Sequence, residues 1–272
     1  PYFDQDHGRA LVIAHRGGSG LWPENTLHAF SRAVTMGVDV LETDIRSTAD
    51  GTLVLIHDST VDRTTNGKGP VISFTLQELQ ALDAGYHWSS DGVTFPFRDQ
   101  GLTVPTLEEV FTALPDMRMN IDIKQTEPSV VAPFCQMIRH FNMRDKVMVA
   151  SFKLQNLREF RRQCPEVATS ASRAEALLFF SLNLAQLSAA VSLDAHALQV
   201  PEKCAGLQLL TRRFVAAAHR RNLKVHAWTI NEAAAMQRLL NLGLDGIVTD
   251  YPDRLMELLA SAHPETPQSP PP

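Results

Sequence analysis

Three carboxylates, two imidazoles and two cations stand in or just after apolar runs of this chain. Glu42 and Asp44 follow Val40-Leu41, and Asp122 lies within Met119-Asn120-Ile121-Asp122-Ile123-Lys124. His15 follows Leu11-Val12-Ile13-Ala14, and His57 follows Leu53-Val54-Leu55-Ile56. An acid on a strand that reads as buried is costly unless it is paired or ligates a cation. A single such acid is most often a salt-bridge member. Three at strand ends, with Glu42 and Asp44 two apart and so on one face, point instead to a shared cation. All-oxygen donors suit Mg²⁺, Ca²⁺ or Mn²⁺ rather than zinc. His15 and His57 fit general acid and base roles, because imidazole titrates near neutral pH. Arg16 and Lys124 could hold the non-bridging oxygens of a phosphate, with ion pairing to the same acids as the alternative. Metal, histidines and cations around an anion describe phosphoester transfer. These residue types reach a metal-dependent phosphodiesterase and stop short of its substrate.

Such a set needs a scaffold that brings successive strand ends together. Short buried runs alternate with helical patterns along the chain, as in a (β/α)₈ TIM-type barrel, whose sites form at the C-terminal ends of its strands. Leu11 to Ala14 reads as the first strand. Asn25 or Thr26 can cap a helix carrying Leu27, Phe30 and Val34 on one face and stopping at Gly37. The link from Arg46 to Thr52 is too short for a crossover helix, so a helixless unit or a hairpin is expected there. Thr75 with Glu78, and Thr106 with Glu109, read as capping boxes. Asn231 is a possible cap for the helix that ends at Gly243. Nine strand candidates compete for eight barrel places, and the surplus one is either 197–200 or the 53–57 pairing. The first nine residues read as a loose lead-in. Residues 67–103 read as the least regular stretch, with a long Gly- and aromatic-bearing loop of the kind that is usually functional, residues 1–263 as a single domain, and residues 264–272 as a disordered Pro-rich tail.

Composition narrows the partners. The chain has 272 residues, 44% of them hydrophobic, and a net charge of −5, which offers no polyanion-binding surface. Nucleic acid is therefore not expected. No apolar run reaches the roughly 18 residues of a membrane span. Cys135, Cys164 and Cys204 lack metal-ligand spacing and read as three buried thiols in a reducing, cytoplasmic compartment. Oligomeric state is not legible.

At these residues the chain resembles the glycerophosphodiester phosphodiesterase family. The matching pieces run in order: His15-Arg16-Gly17, Pro23-Glu24-Asn25-Thr26, Glu42-Thr43-Asp44, Asp50-Gly51, His57-Asp58 and Arg63-Thr64-Thr65. Asn120-Ile121-Asp122-Ile123-Lys124, Ser151-Phe152, Trp228-Thr229-Ile230-Asn231 and Gly246-Ile247-Val248-Thr249-Asp250 complete them. The resemblance implies a TIM-type barrel that hydrolyses glycerophosphodiesters to sn-glycerol 3-phosphate and an alcohol. It implies His15 and His57 as the acid/base pair, Glu42 and Asp44 as ligands of a divalent metal ion, and Arg16 and Lys124 as phosphate contacts. Trp228 and Phe152 would be walls of the substrate site. The family commonly has glutamate where this chain has Asp122, whose shorter arm either draws the ion closer or leaves one position to water. The resemblance makes residues 67–103 the family's insertion near the barrel mouth, where substrate choice is expected, and its Tyr86, Trp88, Phe95 and Phe97 either pack it onto the barrel or line a groove for an acyl chain. The second case would make the enzyme lysophospholipase D-like. A non-catalytic barrel that binds phosphate esters is the reading from another class.

Overall fold

Alternation of side chains between two faces builds the wall of the fold, seen in a computed structural model that describes residues 2–3, 8–187, 192–204 and 206–262. The first half of the chain contributes β1 (Leu11–Ala14), α1 (Leu27–Met36), β2 (Val40–Ser47), β3 (Leu53–Leu55), α2 (Leu76–Gln80), α3 (Leu107–Ala113) and β4 (Met119–Ile123). Next come α4 (Val131–His140), β5 (Val147–Ala150), α5 (Leu154–Gln163), β6 (Ala168–Thr169), α6 (Arg173–Leu184) and β7 (Ala197–Pro201). A small hairpin, β8 (Lys203–Cys204) and β9 (Leu207–Gln208), precedes α7 (Arg212–His219), β10 (Lys224–Trp228), α8 (Ala233–Leu240), β11 (Gly246–Thr249) and α9 (Pro252–Ala262). Eight parallel strands run in the order β6-β5-β4-β2-β1-β11-β10-β7. A parallel bridge between Ser170 and Ala197 joins the two ends of that row, so the sheet closes as a (β/α)₈ barrel.

The surplus strand is β3. It pairs antiparallel with β2, Ile45 opposite Leu55 and Ser47 opposite Leu53, while Ala197–Pro201 is a barrel strand beside β10. β2 therefore rises past the barrel rim and the chain folds back along it. This return sets Ile56 N–H on the carbonyl of Asp44 at 3.0 Å and brings His57 down beside the rim. The faces of β3 serve different cores. Leu53 and Leu55 join the layer between sheet and helices, while Val54 and Ile56 pack with Val61, Val71, Leu79, Ala84 and Val104 in a satellite core under the insertion. Both capping boxes form, Thr75 with Glu78 and Thr106 with Glu109. Thr26, rather than Asn25, caps α1, and Gly37 ends it at φ 92°.

Two expectations need correction, and the described residues include neither 4–7 nor the tail 264–272. Within the lead-in, Tyr2 is buried and packs with Leu11, Ile13, Val40 and Met148, so it plugs the barrel from the end opposite the site. The set of three thiols is likewise replaced by a Cys135–Cys164 disulfide and a free Cys204. The bridge ties α4 to the end of α5. Closing a loop across 29 residues of separation removes chain entropy worth about 3–4 kcal/mol from the unfolded state. We expect Cys135→Ser or Cys164→Ser to lower the unfolding free energy by about that amount. Urea unfolding with and without reductant measures it, and an unchanged midpoint would show that the bridge contributes nothing.

Candidate active site

Because side chains alternate, Glu42 and Asp44 of β2 and Asn120, Asp122 and Lys124 at β4 share the interior face of the barrel. β2 and β4 are in register, Asp44 opposite Asp122, so those two carboxylates are neighbours. The Lys124 ammonium lies between them, 2.6 Å from Asp122 Oδ2 and 2.9 Å from Asp44 Oδ1. Arg16 approaches from the other side, its Nε 3.5 Å from Asp44 Oδ2. The two cations hold Asp44 below the ordinary carboxylate range although burial pushes the other way. Burial first, and then the Asp44 charge, pushes Glu42 up to about 7. Burial also raises Asp122 against the pull of Lys124. The ion-pairing alternative for Arg16 and Lys124 is therefore realised, together with their place in the site.

Arg16 is set by its backbone. It sits in the left-handed region at φ 52°, inside a single 3₁₀ turn, His15–Gly17. That is an uncommon conformation for a non-glycine residue and a form of strain found at functional sites. It turns the Arg16 N–H onto Glu42 Oε2 at 3.0 Å. Gly17 follows at φ 83°, where an added Cβ would lie 2.9 Å from both Ala29 Cβ and Phe30 Cδ1. Asn25, also left-handed and buried, donates its N–H to the Arg16 carbonyl and its side-chain amide to Asp44 Oδ2 at 3.1 Å.

Each histidine is anchored at Nδ1 by a carboxylate. His15 meets Asp250 at 2.6 Å, and its Nε2 is 3.8 Å from Glu42. Burial lowers the His15 pKa, but Glu42 and Asp250 together raise it above the usual value. Asp250 also accepts from Ser19 and from the Asn231 amide at 2.7 Å and is held down at about 2 despite burial. Asn231 thus serves Asp250; Glu232 stands at the cap of α8. His57 meets Asp58 at 2.7 Å, and Arg46 donates twice to the His57 carbonyl. Burial outweighs Asp44 and Asp58 there and lowers the His57 pKa. Arg63 binds Asp58 at 2.6 Å and Glu24 through both terminal nitrogens, and Glu24 accepts from Arg16 at 2.9 Å. One chain of contacts therefore runs from His57 to Arg16. Glu24, Asp58 and Arg63 lie in motifs legible in the sequence, yet their roles were not; Asp58, an acid directly after a histidine, was the available signal.

His15, Arg16, Glu42, His57, Asp122 and Lys124 all line one cavity of about 410 Å³. Asp44, fully buried beneath them, supports the cations without lining it. Trp228 and Phe152 line it too, with rings in an edge contact at 5.6 Å, and Lys124 sits 5.5 Å from the Phe152 ring. None of Tyr86, Trp88, Phe95 or Phe97 reaches the cavity. Trp88 and Phe97 pack against each other, Trp88 donates to the Ser19 carbonyl, and Phe97 meets His28 on α1. The insertion therefore packs onto the barrel.

The donor set fits a hard divalent cation. Asp122 Oδ1 is buried and accepts no hydrogen bond, and Glu42 is a buried acid whose pKa is raised by burial and by Asp44 against the pull of His15, Lys124 and Arg16. As the side chains stand, Lys124 is the cation between Asp44 and Asp122. No three histidine, cysteine or acidic groups among the described residues converge on one point.

Residues 15–254 match the model of the glycerophosphoryl diester phosphodiesterase family. The chain belongs to that family. It is 34% identical, over 92% of its length and 98% of the relative's, to a glycerophosphodiester phosphodiesterase of Caldanaerobacter subterraneus subsp. tengcongensis. A glycerophosphodiester phosphodiesterase of Agrobacterium tumefaciens superimposes with a TM-score of 0.73 at 26% identity, covering 91% of this chain and 99% of that one. An Oleispira antarctica phosphodiesterase, solved with its product sn-glycerol-3-phosphate, gives 0.74 at 28% identity, covering 91% and 95%. The enzyme is thus a phosphoric diester hydrolase, and the acids behind its histidines become testable. Asp250→Asn keeps the size of the side chain but removes the charge that orients His15. We expect kcat to fall by about 10²-fold or more, with KM and thermal midpoint little changed. A loss confined to KM would show that Asp250 only shapes the pocket.

Proposed function

We propose that this enzyme hydrolyses glycerophosphodiesters to sn-glycerol 3-phosphate and an alcohol, with His15 and His57 as the acid/base pair and a divalent metal ion as cofactor. The observation that carries this reading is the pair of imidazoles, each fixed at Nδ1 by a carboxylate, lining one cavity with Arg16 and Lys124. The product bound to the Oleispira relative supports the substrate class. A non-catalytic barrel would not need both histidines anchored in this way.

The roles of this chain's residues follow from their surroundings. Arg16 Nε is buried without a hydrogen-bond partner, so a phosphate oxygen can accept from it. Lys124 adds a compact charge beside the same anion. His15 has a carboxylate near each ring nitrogen, which favours the doubly protonated ring and suits the acid that protonates the leaving oxygen. His57 bonds one acid, Asp58, whose charge Arg63 shares, and burial outweighs both it and the nearby Asp44; a neutral ring suits the base that takes a proton from water or from the glycerol hydroxyl beside the phosphate. Glu42, Asp44 and Asp122 would hold Mg²⁺, Ca²⁺ or Mn²⁺. When bound, such an ion supplies positive charge for the oxygens on phosphorus.

Leaving-group chemistry separates the two histidines. With glycerophosphocholine, His15→Ala and His57→Ala should each abolish turnover. With a nitrophenyl ester, whose leaving group needs no proton, His15→Ala should regain most of its rate and His57→Ala should not. The reverse pattern would exchange the roles, and wild-type-like turnover of glycerophosphocholine in either variant would sink the pair. Chelation should stop turnover, and Mg²⁺, Ca²⁺ or Mn²⁺ should restore it and raise the thermal midpoint through binding to the folded state. Activity indifferent to chelator would remove the metal.

No helix among the described residues is long and apolar enough to cross a membrane. The cytoplasmic expectation rested on three free thiols, and the Cys135–Cys164 bridge removes that support. A persistent disulfide belongs with an oxidising compartment, which we take as the working location.

A further inference from the structure

The cavity is charged at one end and apolar at the other. Beyond the catalytic groups its wall comes from Ala176, Leu177 and Phe180 of α6, from Leu209 beside the β8–β9 hairpin, and from Phe152 and Trp228. Arg173, in the first turn of α6, is the only charged side chain on that wall. A deacylated glycerophosphodiester can set a choline head group against Trp228 and Phe152, but it has no apolar group left to cover Ala176, Leu177, Phe180 and Leu209.

α6 is also unlike its neighbours. The outer helices of such a barrel bury one face and turn a polar one to water. α5 does so with Arg158, Glu159 and Arg162, and α7 with Arg212 and Arg213. From Ala176 to Leu187 no residue is charged. Leu177, Leu178, Leu184 and Leu187 are all exposed there, as is Leu207 on the hairpin. Together with Phe152, these make up six of the eight large apolar side chains exposed among the described residues. Leu177 belongs to both groups, lining the cavity while 43% exposed, so the apolar wall continues from inside the pocket to the surface. Leaving Leu177 and the apolar wall behind it in water is unfavourable, and their connection to the phosphate site indicates what covers them.

Building on the phosphodiesterase reading above, we propose that this enzyme acts on glycerophosphodiesters that still carry one acyl chain, with the phosphate at the charged end and the chain along the wall formed by α6 and the hairpin. Water adds its oxygen to phosphorus and gives up a proton. The bond from phosphorus to the head-group oxygen breaks, and that oxygen takes a proton, releasing the alcohol and an acylglycerol phosphate. The acyl ester stays intact and no electrons are exchanged.

The test compares glycerophosphocholine with a short-chain lysophosphatidylcholine held monomeric, so that the two substrates differ only by the acyl group. The ratio of kcat/KM, acylated over deacylated, should exceed ten in the wild type. Leu177→Glu and Leu177→Gln, at a half-exposed helix position, should each cut that ratio at least fivefold, the glutamine variant removing apolarity without adding charge. A wild-type ratio of ten or less, or a ratio unchanged in both variants, overturns the proposal. Turnover of glycerophosphocholine alone would overturn the acyl subsite and leave the phosphodiesterase reading standing, whereas turnover of neither substrate would overturn both.

Discussion

Glu42, Asp44 and Asp122 place three acids on the inner wall of a barrel whose lower layers are apolar, and the form of the site follows from how that charge is met. Unpaired, each would cost several kcal/mol to bury. Lys124 bridges two of them from β4, and Arg16 reaches a third contact only by adopting a left-handed backbone. That conformation in turn requires the glycine behind it and the Asn25 that holds its carbonyl. Positive charge available for a phosphate is thus charge that the fold already needs for its own acids. The residues that recognise the substrate and those that stabilise the wall are the same.

Much of this was legible in the residues themselves. The period-two spacing of Glu42 and Asp44 reported a common face, and the apolar runs ending at His15 and His57 reported strand ends. The (β/α)₈ architecture followed from alternation, and the hairpin after β2 from a link too short to hold a helix. Contacts between distant segments were not legible. Nothing near Asn231 indicates that it serves Asp250 rather than a helix end, since a side chain able to cap can as readily bond elsewhere. Glu24 and Arg63 meet only because two loops converge over the rim. Tyr2 looked like part of a polar lead-in because a single aromatic carries no periodicity. The Cys135–Cys164 bridge was hidden for the same reason: spacing in the chain says little about which thiols meet when the helices bearing them pack side by side.

The resemblance marks the aromatic insertion as the place where substrate choice is made, yet Trp88 and Phe97 pack against each other, Phe97 meets α1, and Tyr86 and Phe95 lie against Arg98. The apolar surface of the cavity comes from the other side of the mouth, from a helix whose sequence has weak periodicity. A stretch rich in leucine and phenylalanine without charge reads as core. Its unusual character shows only once its position on the outside of the barrel is known.

The return of the chain along β2 divides the machinery between two bodies. His15 stands on the barrel proper, while His57, Asp58 and Arg63 stand on a segment rooted in the satellite core of Val54, Ile56, Val61 and Val71. A small core of this kind can open by itself at a lower free energy than the whole molecule. When it does, the barrel keeps its disulfide, its wall and one histidine, and loses the other together with its supporting acid and arginine. The active site therefore draws its two histidines from elements rooted in different cores, and local opening of the smaller one alone would carry His57 away from Arg16 and Lys124.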